Sequence, residues 1–485
     1  MRGILPTMPA KRATVRDLRR HNRSALLSTL YFEGPLSRQE LVARTGLSAA
    51  TVSTATAGLV DERLVVGAGT VESDGGRPRS LLRVNPGYGH VVGVDVGETG
   101  VAVELFDLAL RRVAAIDHDL PPTDPLAVGA LIASAVPEVI ALAGADQRGV
   151  LGVGIGVPGA VERCGDGSGA TTLVHAQTLG WSGVPLAELV RAGGTALPLF
   201  VENGAKTQGQ AEMWFGAGRG SRHVVVALLA SGVGAAVVAD GVVQRGSTSS
   251  AGEWGHTTVV YGGRRCRCGA RGCLEAYVGA GAVLERYREL GGVLGEGDER
   301  SAFGELVALA GGAAVGGASL TGGASLTGGS ALAGGPAEAG GPSRAGGSPL
   351  AGGPSGADGP SLTDGARPSA GSWPSAGSLL AERVLEEAAG YLGAGIANLV
   401  NLFNPERIVL GGWAGAALGE AWLPVIAAAA REHALRHPFD RVRLEAGRLG
   451  PDAVAVGAAT LPVAALLERA ADPRAPVRGR TAHLA

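Results

Sequence analysis

Glu253-Trp-Gly-His-Thr-Thr-Val-Val-Tyr-Gly-Gly-Arg-Arg-Cys-Arg-Cys-Gly-Ala-Arg-Gly-Cys-Leu-Glu275 is the stretch on which the reading of this chain turns. It holds His256, Cys266, Cys268 and Cys273, and so three of the chain's 4 cysteines. Thiolates and an imidazole are the ligands that zinc takes in a closed structural tetrahedron, where four protein ligands leave no place for an activated water. Gly269 and Gly272 supply the tight turns that a metal knuckle needs. Free thiols or a disulfide pair are the alternatives. Three cysteines clustered in a chain otherwise nearly free of them favour structural zinc.

Acidic residues flank the knuckle: Glu253 precedes His256, and Glu275 follows Cys273. A metal between them would hold both segments still. An imidazole bound to metal through one nitrogen keeps the other for a ligand hydroxyl or a neighbouring acceptor. Fixed carboxylates beside an oriented imidazole suit a polyhydroxylated ligand such as a sugar. Either glutamate taken alone is more often a solvated surface carboxylate.

Gly252-Glu253-Trp254-Gly255-His256 and, further on, Cys266-Arg267-Cys268-Gly269-Ala270-Arg271-Gly272-Cys273-Leu274-Glu275 together resemble the signature of the ROK family of repressors, open reading frames and sugar kinases. The resemblance implies that His256 and the three cysteines bind zinc, and that Glu253, His256 and Glu275 contact a sugar. It also implies an α/β fold: a two-lobed, actin-like (ribonuclease H-like) body with a structural zinc site.

Other segments extend the resemblance and mark where this chain departs from it. Val91 to Phe106 reads as strand, glycine turn, strand, and Asp95, Gly97 and Thr99 resemble a first phosphate loop, Asp-x-Gly-Gly-Thr-Lys. Glu98 stands for a glycine and Gly100 for the lysine, so a carboxylate would repel phosphate and a cation is missing. Gly232 and Gly234 resemble a second such loop; both loops read as vestigial. Val150 to Gly159 reads as another buried strand and turn, and Gly180-Trp181 with Val184-Pro185-Leu186 resembles the family's sugar-lobe segment, with Gln177-Thr178-Leu179 in place of Pro-Asn-Leu. Asn404 to Gly412 resembles the strand and glycine turn near adenosine.

In Leu199 to Lys206, Asn203 matches the family's sugar-binding asparagine, but Gly204 stands where the catalytic aspartate belongs. Losing a general base costs ~10²–10⁴-fold in rate. Glu202 cannot replace it, because alternation along a strand turns it to the other face.

The N-terminal segment has a different character. The first 90 residues hold 13 Lys+Arg against 7 Asp+Glu, a net +6, whereas the rest of the chain carries −8 of the overall −2. That asymmetry points to an anionic partner for the N-terminus. Val15, Leu18, Leu26, Leu27 and Leu30 suit an amphipathic helix. Ser37 and Glu40 form a capping box for a second helix ending near Gly46. Ser48 caps a third, from Ala49 to about Arg63, with Val52, Leu59 and Val60 inward. Two short helices across Thr45-Gly46-Leu47 make a helix-turn-helix. Gly75-Gly76-Arg77-Pro78-Arg79 resembles the wing of the family's repressors. Ser48, Thr51, Ser53, Thr54, Arg77 and Arg79 are the candidate DNA contacts, with Arg77 aimed at a narrow minor groove.

No apolar run of membrane-spanning length and no signal peptide stand out, and 4 cysteines with three committed to metal fit a reducing cytoplasm. Cys164 is left over, and its ordinary reading is an incidental thiol. The expected layout is a disordered start (1–13), a winged helix-turn-helix (14–86), an actin-like body (90–310 and 379–470), a flexible Gly/Ala/Ser/Pro-rich insertion (311–378) and a tail (471–485). Helix periodicity resumes from Leu379 to Asn401, and a final helix is expected over roughly Asp452 to Arg469.

The function expected is a sugar-responsive transcriptional regulator, a repressor, binding operator DNA as a homodimer or dimer of dimers, without membrane or kinase activity. The partners expected are operator DNA and a sugar or sugar-phosphate effector. An active sugar kinase with a DNA-binding head is the alternative, opposed by Gly204, Glu98 and Gly100. A regulator that has lost its ligand is a third, opposed by the retained Asn203, Glu253, His256 and Glu275.

Overall fold

The structure is a computed structural model that describes residues 15–73, 76–119, 124–165, 171–311 and 376–469. The expected disordered start, most of the insertion and the tail lie outside the described residues.

The head opens with α1 (Val15–Glu33), β1 (Leu36–Ser37), α2 (Arg38–Thr45) and α3 (Ala49–Asp61). The Ser37 side chain caps α2, and Glu40 returns the bond to the Ser37 N–H at 2.7 Å. Gly46 ends that helix in the left-handed conformation, φ 69°, which glycine adopts without strain. Ser48 accepts from the Thr51 N–H and starts α3. A hairpin follows, β2 (Val65–Ser73) and β3 (Gly76–Val84), giving a sheet in the order β1-β3-β2. Val52 and Leu59 are buried as expected, but Val60 is 37% exposed. It lies next to Leu59 on α3, and a one-residue step turns it about 100° away from the buried face.

The body's first lobe contains β4 (His90–Val96), β5 (Gly100–Asp107), β6 (Arg112–Asp119), α4 (Pro125–Leu142), β7 (Val150–Val157), a small sheet of β8 (Ala160–Cys164), β9 (Thr171–Ala176) and β10 (Trp181–Val184), then α5 (Leu186–Ala192), β11 (Leu199–Asn203) and α6 (Gly204–Phe215). Its main sheet runs β11-β7-β4-β5-β6, with β11, β7 and β4 parallel. The second lobe contains β12 (Val224–Leu229), β13 (Val233–Ala239), β14 (Val242–Val243), α7 (Glu275–Val278), α8 (Ala280–Glu289), α9 (Glu299–Ala310), α10 (Ala376–Phe403), β15 (Arg407–Gly411), α11 (Gly412–His433), α12 (Arg436–Phe439) and β16 (Arg443–Ala446). Its sheet runs β14-β13-β12-β15-β16. The last helix, α13 (Ala453–Arg469), returns to the first lobe.

Glycine explains how closely α13 lies on the first sheet. A Cβ at Gly93 of β4 would run into the carbonyl of Ala455, and one at Gly154 of β7 into that of Ala458. The helix answers with Ala455, Ala458 and Ala459, all 0% exposed.

Two further points depart from the sequence reading. The helix expected from Leu379 begins at Ala376, where Gly377 accepts from the Tyr287 hydroxyl at 3.3 Å and Ser378 Oγ donates to Leu309 O at 2.6 Å. Also, α4 and α11 are long and apolar enough to cross a membrane by length and composition, contrary to the expectation that no such run exists. Their apolar residues serve packing: α4 buries Val128, Ile132, Val136 and Val139 in the first lobe, and α11 buries Trp422 and Ile426 in the second.

Candidate ligand cleft and metal knuckle

The knuckle is shaped from its backbone outward. Buried Trp254 donates its indole N–H to Gly395 O at 3.1 Å and so fixes the short 3-10 turn that presents His256. Gly269 and Gly272 take φ of 93° and 79°. A Cβ on Gly272 would also collide with Val260 O, so this glycine is needed for space as well as for conformation. One candidate ligand atom from each of His256, Cys266, Cys268 and Cys273 lies within 4.8 Å of the others. His256 Nδ1 is 3.7 Å from Cys266 Sγ, and the sulfurs of Cys268 and Cys273 are 3.8 Å apart. A tetrahedron with Zn–S of ~2.3 Å and Zn–N of ~2.0 Å has edges of roughly 3.5–3.8 Å, so donor set and spacing fit such an ion. Burial pushes the Cys266 thiol up to about 12 and the Cys273 thiol upward as well. A bound divalent cation reverses that sense and ionises thiols.

A cleft of about 790 Å³ between the lobes receives Asn203, Gly204, Glu253, His256 and Glu275. With Nδ1 turned to the cysteines, the Nε2 side of His256 remains for the cleft. Asn203 caps α6, accepting from Lys206 N at 3.0 Å, and donates to Gly159 O at 2.7 Å. Glu275 is 4% exposed; one oxygen accepts from Val233 N at 3.0 Å and the other lies 3.3 Å from Arg267. Both side chains thus carry structural bonds that the sequence did not reveal. Burial raises the Glu253 carboxyl, while His256 and Lys206 oppose the shift. Asp95 is pushed up to about 7 by burial, against the pull of Arg300.

Asp95, Gly97, Thr99, Gly232 and Gly234 all line the cleft. Glu202 points away from it and binds Arg245 through Oε2 at 3.0 Å. A Cβ on Gly204 would meet Val454 Cγ1 at 3.4 Å, an ordinary contact, so packing does not exclude a larger residue there. Gln177 and Thr178 also line the cleft. Arg300, Asp298 and His175 were not anticipated, because α9 carries no motif and His175 is positioned only by β9 pairing with β8. Arg267 was missed as well, although its place between two candidate metal ligands was a usable signal.

In the head, Ser48, which caps α3, and Ser53 and Thr54 on that helix are exposed, and Thr51 is half-buried with Oγ1 2.8 Å from Ser48 Oγ. Arg79 reaches Gln39 Oε1 at 3.4 Å. Arg77 lies near the start of β3; its side chain falls outside the described residues. The head is not a loose appendage. Leu26, Leu27, Leu30, Leu59 and Leu82 share one core with Phe106, Val463 and Leu467 of the body.

Two α/β lobes, with glycine turns facing each other across a ligand cleft, define the class of actin-like sugar-kinase-type proteins. The ROK family model matches residues 91–310 and 375–464, more than half of the chain, and the chain belongs to the ROK family. A xylose repressor of Caldicellulosiruptor bescii is 26% identical over 451 residues, covering 93% of this chain and 97% of its own. A ROK family transcriptional regulator, a homologue of the E. coli MLC protein, shares the fold at TM-score 0.63 and 23% identity, over 94% of this chain and 96% of its own. A ROK family glucokinase from Streptomyces griseus, solved with glucose and AMPPNP, matches at TM-score 0.55 and 26% identity, over 77% of this chain and 99% of its own.

Proposed function

We propose that this chain is a transcriptional regulator of carbohydrate-metabolism genes, a repressor, whose affinity for operator DNA is set by a sugar or sugar derivative in the cleft. The helix-turn-helix and its hairpin act as a winged helix, with Ser48, Thr51, Ser53 and Thr54 at the major groove and Arg77 and Arg79 at the wing. It works in the cytoplasm as a homodimer or dimer of dimers on a two-fold symmetric site. Zinc in the knuckle is structural, held by His256, Cys266, Cys268 and Cys273, and it fixes Glu253, His256 and Glu275 for the sugar, with Asn203 opposite. The protein is not a kinase, since Gly204 offers no proton acceptor at the base position.

The observation that carries this reading is that two helices run from the cleft to the head. Gly204 at the start of α6 and Val454 in α13 line the cleft. At the other end, Trp214 of α6 packs edge-on against Phe32 of α1 at 4.9 Å, and Leu467 of α13 accepts from Ser24 Oγ at 2.8 Å. With 17 residues, α13 spans about 25 Å. Lobe closure on a sugar therefore moves the seats on which the head rests, and in a dimer it changes the spacing of the two heads.

The test is direct. A two-fold site is selected from random duplexes with the full chain, and fluorescence anisotropy then follows release by a sugar panel. At least one sugar should weaken binding by about 5–150-fold, the usual range of coupling, while ATP-coupled phosphorylation stays at background. Selection of no duplex, or turnover on the order of 1 s⁻¹ on any sugar, would overturn the reading.

A further inference from the structure

We propose that the cleft is built for an uncharged polyhydroxylated ligand and excludes phosphate-bearing ones, nucleotide and sugar phosphate alike, because Glu98 stands between the two glycine turns as a carboxylate tied down by Arg267. This deepens, and rests on, the sugar-responsive reading of the same cleft.

The turn from β4 to β5 brings Glu98 against the turn from β12 to β13. A Cβ on Gly232 would lie 3.2 Å from Glu98 Oε1 and 3.4 Å from Glu275 Oε2. Two carboxylates thus flank the backbone at the point where an anion would need donors. Neighbouring donors are already used: Gly97 N bonds Gly100 O at 2.9 Å, and Val233 N bonds Glu275 Oε2 at 3.0 Å. Glycine turns hold phosphate through free N–H groups and a positive field; here two of those N–H groups, of Gly97 and Val233, are spent, and carboxylates stand beside the turn.

The cation that the first loop lacks arrives from the knuckle, but it arrives neutralised. Arg267, held between Cys266 and Cys268, pairs with Glu98 through Nη1. Its Nη2 donates to Ser231 O at 2.9 Å and lies 3.3 Å from Glu275 Oε1. Glu98 is only 12% exposed in this pair, so it is not free to swing away and admit a phosphate. The bond also joins the first lobe to the second.

The rest of the lining has the same sign. Asp117, Asp119 and Asp298 face the cleft beside Asp95 and Glu253, whose ionisation burial opposes, and among the described lining residues Arg300 is the only lysine or arginine. Arg300 is itself shared, 4.0 Å from Asp452 and stacked over Trp413. Carboxylates accept hydrogen bonds and donate none when ionised. Such a wall recognises hydroxyl donors and repels phosphate oxygens.

The test is isothermal titration calorimetry on the full chain with tripolyphosphate, Mg²⁺–AMPPNP, and the pairs glucose with glucose 6-phosphate and mannose with mannose 6-phosphate. In the wild type, tripolyphosphate and AMPPNP should give no binding at millimolar concentration. Any hexose that binds should lose at least about tenfold in affinity when phosphorylated, since a like charge is brought close to fixed carboxylates. Glu98→Gln removes that charge and releases Arg267, so tripolyphosphate affinity should rise at least about tenfold; adding Arg267→Met should abolish the gain. Far-ultraviolet circular dichroism and metal content verify each variant's fold, and Glu98→Gly, which restores a glycine turn, is the second variant. Tight AMPPNP or sugar-phosphate binding by the wild type, or no gain of anion affinity in either folded Glu98 variant, overturns the proposal. Those outcomes leave sugar-dependent DNA release intact. Conversely, loss of the regulator reading would show as unchanged DNA binding in every sugar, whatever the anion titrations give.

Discussion

Glu104 on β5 is 3% exposed, and its carboxyl is pushed up to about 8, first by burial and then by Asp452, against Arg112 at 3.5 Å. The folded chain therefore holds a proton there that the unfolded chain releases near pH 4–5. Stability from this group is fully present below the unfolded value and is lost as pH rises toward 8, at up to about 1.4 kcal/mol per pH unit. Glu104→Gln should accordingly flatten the fall of the urea midpoint between pH 5 and 8; an unchanged slope would show that Glu104 ionises normally. Residue-scale legibility was uneven. Gly204 stands out in the sequence because the resemblance expects an aspartate at that position, and the structure places it on the cleft. The structural bonds of Asn203 and Glu275 were not legible, because their partners, Gly159 and Val233, come from elsewhere in the sequence.

At the scale of elements, the knuckle and the α1–α6 contact carry separate predictions. Cys268→Ser removes one of the four proposed ligands, so zinc measured by elemental analysis should fall from one equivalent per chain, and the body should melt several degrees lower. Zinc-free wild type would contradict the knuckle's role. Tyr31, Phe32, Trp214 and Phe215 form an edge-on cluster, with Arg219 Nη2 donating to Phe32 O at 2.8 Å. Trp214→Leu keeps an apolar side chain but loosens that seat. It should reduce the factor by which sugar weakens DNA binding about 3–10-fold, within the range seen for residues between coupled sites. An unchanged factor would place the coupling elsewhere. Local patterns exposed most elements: the capping box at Ser37 and the valine run of β4 were both legible. The membrane-length apolarity of α4 was not recognised, since only its packing against the sheet tells a buried helix from a spanning one.

The whole molecule joins a basic head to an acidic body through one continuous core, and that union was not legible in the sequence. The sequence suggested a head ending at residue 86 and a body starting at residue 90, yet Leu108 donates its N–H to Pro86 O at 3.1 Å, and head leucines pack on α13. A shared core can transmit coupling, and linkage makes any such coupling reciprocal: whatever factor the sugar imposes on DNA affinity, DNA must impose on sugar affinity. The most direct measurement is a calorimetric titration of the releasing sugar into the full chain, alone and saturated with its selected operator. The account predicts weaker sugar binding in the presence of DNA, by the same factor with which sugar weakens the operator complex. Equal sugar affinities in the two titrations would mean that cleft and head are uncoupled, and would contradict it.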